Sequence, residues 1–313
     1  MRITGKTINV LIGVLAAQAV LAALLLTPRD QAADPLVTFD FDTVNEIRVS
    51  GNEDELISLA LEAGVWTMPG ALPVDTSRIE SLNEVFVGGR WAWPVASTSD
   101  AARRFEVTEG NFQRRIALFA DGNEVATLFL GTSPGFRRIH AREADSENIY
   151  SIELATYDLP LAADDWLDKS LIEAPASIES MSRPGLWQAE LDGEGEWTLS
   201  DSLLVAKNSE LESMATRFET LRVMGIADAV PERAPDLEFA VTAAGVDVRY
   251  AFYRSPEEED VEGSDSEEEA AFSTSTADTL VKSSLRDEYF RVSSFTVDQL
   301  DKALEDLTEP ADG

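Results

Sequence analysis

Two stretches carry one pattern twice: residues 77–90, SRIESLNEVFVGGR, and residues 209–222, SELESMATRFETLR. Each opens on Ser-x-x-Glu, Ser77 with Glu80 and Ser209 with Glu212. This is the capping-box signature, in which the hydroxyl accepts from a free backbone N–H and the carboxylate reaches back to the N–H of the cap. Each then sets apolar residues at helical spacing, Ile79, Leu82 and Phe86 in the first and Leu211, Met214, Phe218 and Leu221 in the second. A Trp-Thr strand precedes both, at Trp66-Thr67 and Trp197-Thr198.

The likeness runs on in order. Residues 105–108 (FEVT) match 239–242 (FAVT), 115–119 match 248–252, 149–152 match 289–292, and 156–158 match 296–298. Each copy is expected to close on an amphipathic helix, over 162–171 and over 298–307. Agreement at this many ordered positions predicts an internal duplication. Alternating runs such as Ile47-Arg48-Val49 read as strands, with another expected over 36–41. Tight turns such as Asp121-Gly122-Asn123 predict antiparallel pairing.

Upstream lies the uncharged run 8–26, INVLIGVLAAQAVLAALLL. At about 1.5 Å per residue a helix of this length reaches across a bilayer's hydrocarbon core. A cleaved signal peptide is the alternative. The small residues at Ala17-Gln18-Ala19 suit cleavage, but the apolar run continues through Leu26. Arg2 and Lys6 precede the run, so the basic bias places the N-terminus in the cytoplasm and the body outside. The expected fold class is therefore α+β: an N-terminal transmembrane helix, then two repeated lobes of antiparallel sheet, each with one main amphipathic helix. The expected segments are a cytoplasmic tail 1–7, an anchor 8–26, a stalk 27–35, a first lobe 36–172, a second lobe 173–307 and a tail 308–313.

The 313 residues include 58 acidic and 25 basic side chains, for a formal net charge of −33 at pH 7. Bulk electrostatics of this sign excludes nucleic acid as a partner. There is no cysteine, which removes disulfides, thiolate nucleophiles and Cys-ligated metals. The two copies differ most where the second carries 256–270, PEEEDVEGSDSEEEA, in place of the tight turn at 121–123. Nine of the thirteen residues from 257 to 269 are acidic, a density that predicts disorder. The spacing is not that of an EF-hand loop.

Few residues point to chemistry. Gly131-Thr132-Ser133-Pro134-Gly135 has the spacing of a serine-hydrolase nucleophile elbow, which needs a strand-to-helix turn and a His base. The residues that follow read as a strand. Pro134 removes the N–H that would serve the oxyanion hole, and a hairpin turn accounts for all five residues. His140, the one histidine, cannot build a His-rich metal site. Asp164, Asp165 and Asp168 surround Trp166 and suit the start of a helix. Trp91 and Trp93 alternate onto one face and serve either core packing or a partner surface. Gln18 within the apolar run suits packing against other membrane helices. No catalytic, cofactor-binding or metal-binding residue is expected.

The Trp-Thr strand, the capped helix and Asp165-Trp166-Leu167-Asp168 carry a resemblance, together with Ile47-Arg48-Val49, Val74-Asp75 through Leu82, Gly131 and Ile149-Tyr150. The chain resembles a family defined only as a domain of unknown function. Its members are bacterial, membrane-anchored and extracytoplasmic, and are typically encoded beside gliding-motility-type ABC transporter subunits. Val74-Asp75 and Ile139-His140 depart from the family's pattern. The resemblance implies a non-enzymatic accessory or scaffold protein of the inner membrane, single-pass, with a periplasmic body and ABC transporter subunits as partners. The alternative is a module that binds an envelope polymer or peptide, and a more distant one is a hydrolase at Ser133.

Overall fold

The computed structural model describes residues 40–53, 55–88, 93–201, 203–254 and 279–309, with Leu15 and Gln18. The described body opens on a 3-10 turn, Phe41–Thr43, where the strand expected over 36–41 would end; residues 36–39 lie outside the described residues. β1 (Glu46–Ser50), β2 (Leu56–Glu62), β3 (Val65–Met68) and β4 (Leu72–Pro73) follow as a meander. Next come helix α1 (Thr76–Asn83), helix α2 (Ser99–Arg104) and a small hairpin of β5 (Val107–Thr108) and β6 (Asn111–Phe112). β7 (Arg114–Ala120), β8 (Asn123–Leu130), β9 (Ile139–Glu143) and β10 (Ile149–Ile152) complete an antiparallel sheet of order β4-β3-β2-β1-β7-β8-β9-β10.

The second half repeats this path. β11 (Ile178–Arg183), β12 (Trp187–Leu191) and β13 (Trp197–Leu199) lead to helix α3 (Asn208–Glu219). β14 (Gly225–Ile226), β15 (Leu237–Ala243), β16 (Val246–Tyr253), β17 (Thr279–Ser283), β18 (Tyr289–Val292) and helix α4 (Ser294–Leu300) follow. The sheet order is β13-β12-β11-β15-β16-β17-β18-β14. The seven-strand path from β3 to β10 in the first sheet is the path from β13 to β18 in the second. Even the outermost pairing recurs, as Ala96 bridges Ile149 in one half and Ile226 pairs with Phe290 in the other.

This topology corrects the sequence alignment by one strand. The central hairpins turn at Asp121-Gly122 and Ala244-Gly245, all four residues with positive φ, as the right-handed twist of a two-residue connection requires. Counting from those turns, β7 matches β15 and β8 matches β16. The FEVT of 105–108 thus belongs to the end of α2 and β5, not to a counterpart of β15. The acidic segment 256–270, which lies outside the described residues, falls between β16 and β17. Its counterpart in the first half is the 131–138 connection, not the 121–123 turn.

The α+β class expected from sequence is also corrected. Among the described residues the fold is mainly β, two large antiparallel sheets with few α-helices, of 8, 6, 12 and 7 residues, the first running on into a π-helical turn at Glu84–Gly88. The helix expected over 162–171 is a 3-10 turn at Ala163–Asp165, and Leu167 bridges Val74 as a strand would. The closing helix starts earlier than expected, at Ser294, and Leu304–Leu307 is a separate 3-10 turn. Neither capping box forms. Asp75 caps α1, accepting from the Ser77 N–H at 3.0 Å and its hydroxyl at 2.7 Å. At α3 the Asn208 carboxamide accepts from the Trp197 N–H, tying the helix start to β13.

The opening transmembrane helix of the expected fold class is not found among the described residues. Among the described residues no helix is long and apolar enough to cross a membrane. The run 8–26 lies outside them except for Leu15 and Gln18. At the other end the ordered body reaches past 307, where Thr308 bridges Ala206.

Period-two burial builds the core. In the second sheet Leu237, Phe239, Val241 and Ala243 of β15 face the same side as Val248, Tyr250 and Phe252 of β16. Phe218 of α3 packs onto that face, its ring 5.3 Å from Phe239 and 5.1 Å from Tyr250. Burying each such ring contributes about 1.5–3 kcal/mol. Ile79, Leu82 and Phe86 play the corresponding part for the first sheet, and one continuous apolar cluster spans both halves.

The halves are joined by a polar clasp. One oxygen of the Asp164 carboxylate accepts from the Ile226 N–H at 2.8 Å, and the other pairs with the Arg291 guanidinium. Lys169 Nζ donates to the carbonyls of Asp164 and Met224, both at 2.5 Å. The Tyr250 hydroxyl, fully buried, donates to the Ile172 carbonyl at 3.0 Å. Asp164→Ala leaves Arg291 and the Ile226 N–H without this acceptor and is expected to destabilise the chain by about 2 kcal/mol. A urea-unfolding midpoint unchanged from wild type would show that the clasp carries no load.

Candidate functional site

Ser133 lies in a hairpin turn, the reading preferred from sequence over a nucleophile elbow. Its hydroxyl donates to the carbonyls of Gly135 and Arg138, both at 2.7 Å, and the Gly135–Arg138 bridge closes a plain hairpin connection between β8 and β9. His140 faces elsewhere. Its Nδ1 lies 3.0 Å from the Thr132 hydroxyl, and its ring stacks on Phe105 with centroids 4.0 Å apart. Burial lowers its pKa from the ordinary 6.5; the backbone hydrogen bond with Thr132 opposes that, and the charge of Arg104 adds to it.

Two of the acidic residues around Trp166, Asp164 and Asp168, bond within the fold. Asp164 forms the clasp, and Asp168 accepts from the N–H and hydroxyl of Ser170. Trp166 is buried with its indole N–H on the Pro160 carbonyl. Of the expected partner-surface residues, Trp93 is 73% exposed beside edge strand β10, held there by the bond from the Val95 N–H to the Ile149 carbonyl. Trp91 lies outside the described residues. Gln18 is exposed. Among the described residues no cluster of three or more potential ligands could hold a metal ion.

The structure instead brings together residues that sequence reading missed. The chain enters the first sheet where the Asn45 and Asp121 side chains clasp each other. At the opposite end of the sheet the β1–β2 turn, the β5–β6 hairpin and the 3-10 turn Thr156–Asp158 converge on a cleft of about 560 Å³. The first contributes Asn52, Glu53 and Glu55, and the second Glu106, Asn111, Phe112 and Gln113. Arg114 and Thr156 complete the lining.

One insertion builds half of this cleft. The segment from α2 to β6 lies across the outer face of the first sheet, where Ala101, Ala102, Val107, Phe129 and Ile149 form a small core of their own. The Arg142 guanidinium covers the Phe129 ring and donates to the Val107 carbonyl at 2.7 Å. Gly131 lets the segment dock, because a Cβ there would sit 1.9 Å from the Phe105 carbonyl oxygen. Among the described residues the second half has no such cover. By register Ala251 stands where Phe129 stands and Lys282 where Arg142 stands, and a concavity of about 460 Å³ remains over Ala240 and Ala251.

Residues 66–240, from β3 to within β15, match the family described as a domain of unknown function, DUF4340. The chain belongs to this family. The match spans the junction between the two sheets, so the DUF4340 unit includes the joint at Asp164 as well as the cleft wall at 106–114. No curated protein and no solved structure matches the chain.

Unfolded histidine takes up its proton near pH 6.5, whereas folded His140 does so only at lower pH. The stability that neutral His140 carries is therefore present above about 6.5 and is lost as pH falls below that value. His140→Gln should flatten the decline of the unfolding midpoint between about pH 7.5 and 5 relative to wild type. Parallel curves would contradict this.

Proposed function

We propose that this DUF4340 protein is a non-enzymatic accessory or scaffold protein of a bacterial envelope, associated with an ABC-type transport system. It is attached at the cytoplasmic membrane with its body outside. The location rests on the uncharged run 8–26 behind Arg2 and Lys6. The observation that carries the scaffold reading is Trp93, which stands in solvent together with Val95 beside a sheet edge. Tryptophan presented in this way is a common anchor of protein interfaces.

A second reading, a module that binds an envelope polymer or peptide, is favoured by the cleft at the far end of the first sheet and by the same exposed tryptophan. A photo-crosslinking amino acid placed at Trp93 in intact cells separates the two. Cross-links to transporter subunits support the scaffold. Capture of glycan or peptide without any transporter subunit overturns it in favour of the binding module.

A further inference from the structure

We propose that the cleft lined by Asn52, Glu106, Asn111 and Phe112 is a saccharide site, taking a neutral or amino-bearing oligosaccharide. The proposal rests on the polymer-binding reading above and names its ligand class. Its volume lies within the range of small-molecule sites. The groups that line it set the chemistry. Three carboxylates, Glu53, Glu55 and Glu106, face one guanidinium, Arg114, which is already turned to the carbonyls of Leu159 and Gln113. That balance disfavours an anionic ligand.

The carboxamides of Asn52 and Asn111 make no hydrogen bond within the described residues, and neither do the carboxylates of Glu53 and Glu55. A carboxamide donates and accepts at once, and an ionised carboxylate accepts twice. Together they match the paired donors and acceptors of vicinal hydroxyls. Gln113 Nε2 donates to Glu106 Oε2 at 3.2 Å and holds that carboxylate in place, leaving its other oxygen for a ligand. Phe112 supplies the apolar surface on which the C–H face of a sugar ring stacks. It is half-buried, with its ring centroid 5.6 Å from that of Phe129 beneath the cleft, so its position is fixed before any ligand arrives.

Saturation-transfer NMR and calorimetry on the full-length chain in detergent would test this with maltotriose, chitotriose, trigalacturonate and trilysine as probes. Binding of maltotriose or chitotriose, with at least tenfold weakening in the Asn52→Ala/Asn111→Ala double variant and no trigalacturonate binding, is the expected result. Both asparagines are exposed and their carboxamides make no hydrogen bond within the described residues, so the double variant should fold as wild type. Phe112→Ala should abolish the stacking signal, with its fold checked by the unfolding midpoint. Trilysine binding alone would assign the cleft to basic peptides and overturn the proposal, as would sugar binding that the double variant leaves unchanged. Sedimentation with isolated envelope polymer distinguishes the two levels. Polymer binding that survives the double variant keeps the module reading and removes this cleft, whereas loss of all binding by the wild type removes both.

Discussion

The Asp164 carboxylate holds the molecule in one piece. It lies in the segment that leaves the first sheet, and both of its oxygens are spent on the second, one on a strand N–H and one on Arg291. The geometry is tight. A Cβ at Gly225 would fall within 2.5 Å of both the carboxylate and the guanidinium, so glycine there is a condition of the contact. Lys169, beside it, has its pKa lowered by burial against the pull of Asp164 and Asp165, and it bonds one carbonyl on its own side of the seam, that of Asp164, and one on the other, that of Met224. Two sheets that each bury one face on a helix could form separate bodies. With this clasp, the Tyr250–Ile172 bond and a shared apolar cluster, they form one.

Duplication supplied two equal frameworks, and the differences between them locate what is specialised. Both keep the seven-strand path and both central turns. Among the described residues only the first carries the α2–β6 cover, and the residues beneath it differ accordingly. Phe129 is 4% exposed under the cover, while its counterpart Ala251 lines an open concavity. The outer face of the second sheet is polar at Glu238, Arg249 and Lys282, as suits a surface that meets water. The cleft exists because the cover brings Glu106 to Gln113 against the β1–β2 turn. Glu106 sits at φ +58, a left-handed conformation at the end of α2 that more often falls to glycine.

Much of the framework was legible in the chain. The Trp-Thr strands, the two helix positions, the turn at Asp121-Gly122 and the match of β10 with β18 follow from periodicity and turn chemistry. The strand slip arose because FEVT and FAVT agree in side chains while differing in environment: one closes a helix and starts a hairpin, the other is a central strand. The capping boxes failed because a better cap was near, Asp75 at α1, and because Asn208 was committed to β13. The stretch around Trp166 has helical spacing, but strand pairing of Leu167 and the demand of Asp164 for the second sheet override it. The cleft was not legible, since Asn52, the hairpin residues Glu106 and Asn111, and Thr156 come from three separate connections and no local pattern signals their convergence.

The β16–β17 pair carries a further consequence. Tyr253 and Leu280 are register partners although residues 255–278 intervene in sequence, and the equivalent strands of the first half are linked by 131–138 alone. Closing a longer flexible loop costs only about 0.6 kcal/mol for each doubling of its length. The pairing of these two strands is therefore set by their own residues and depends little on how many residues join them.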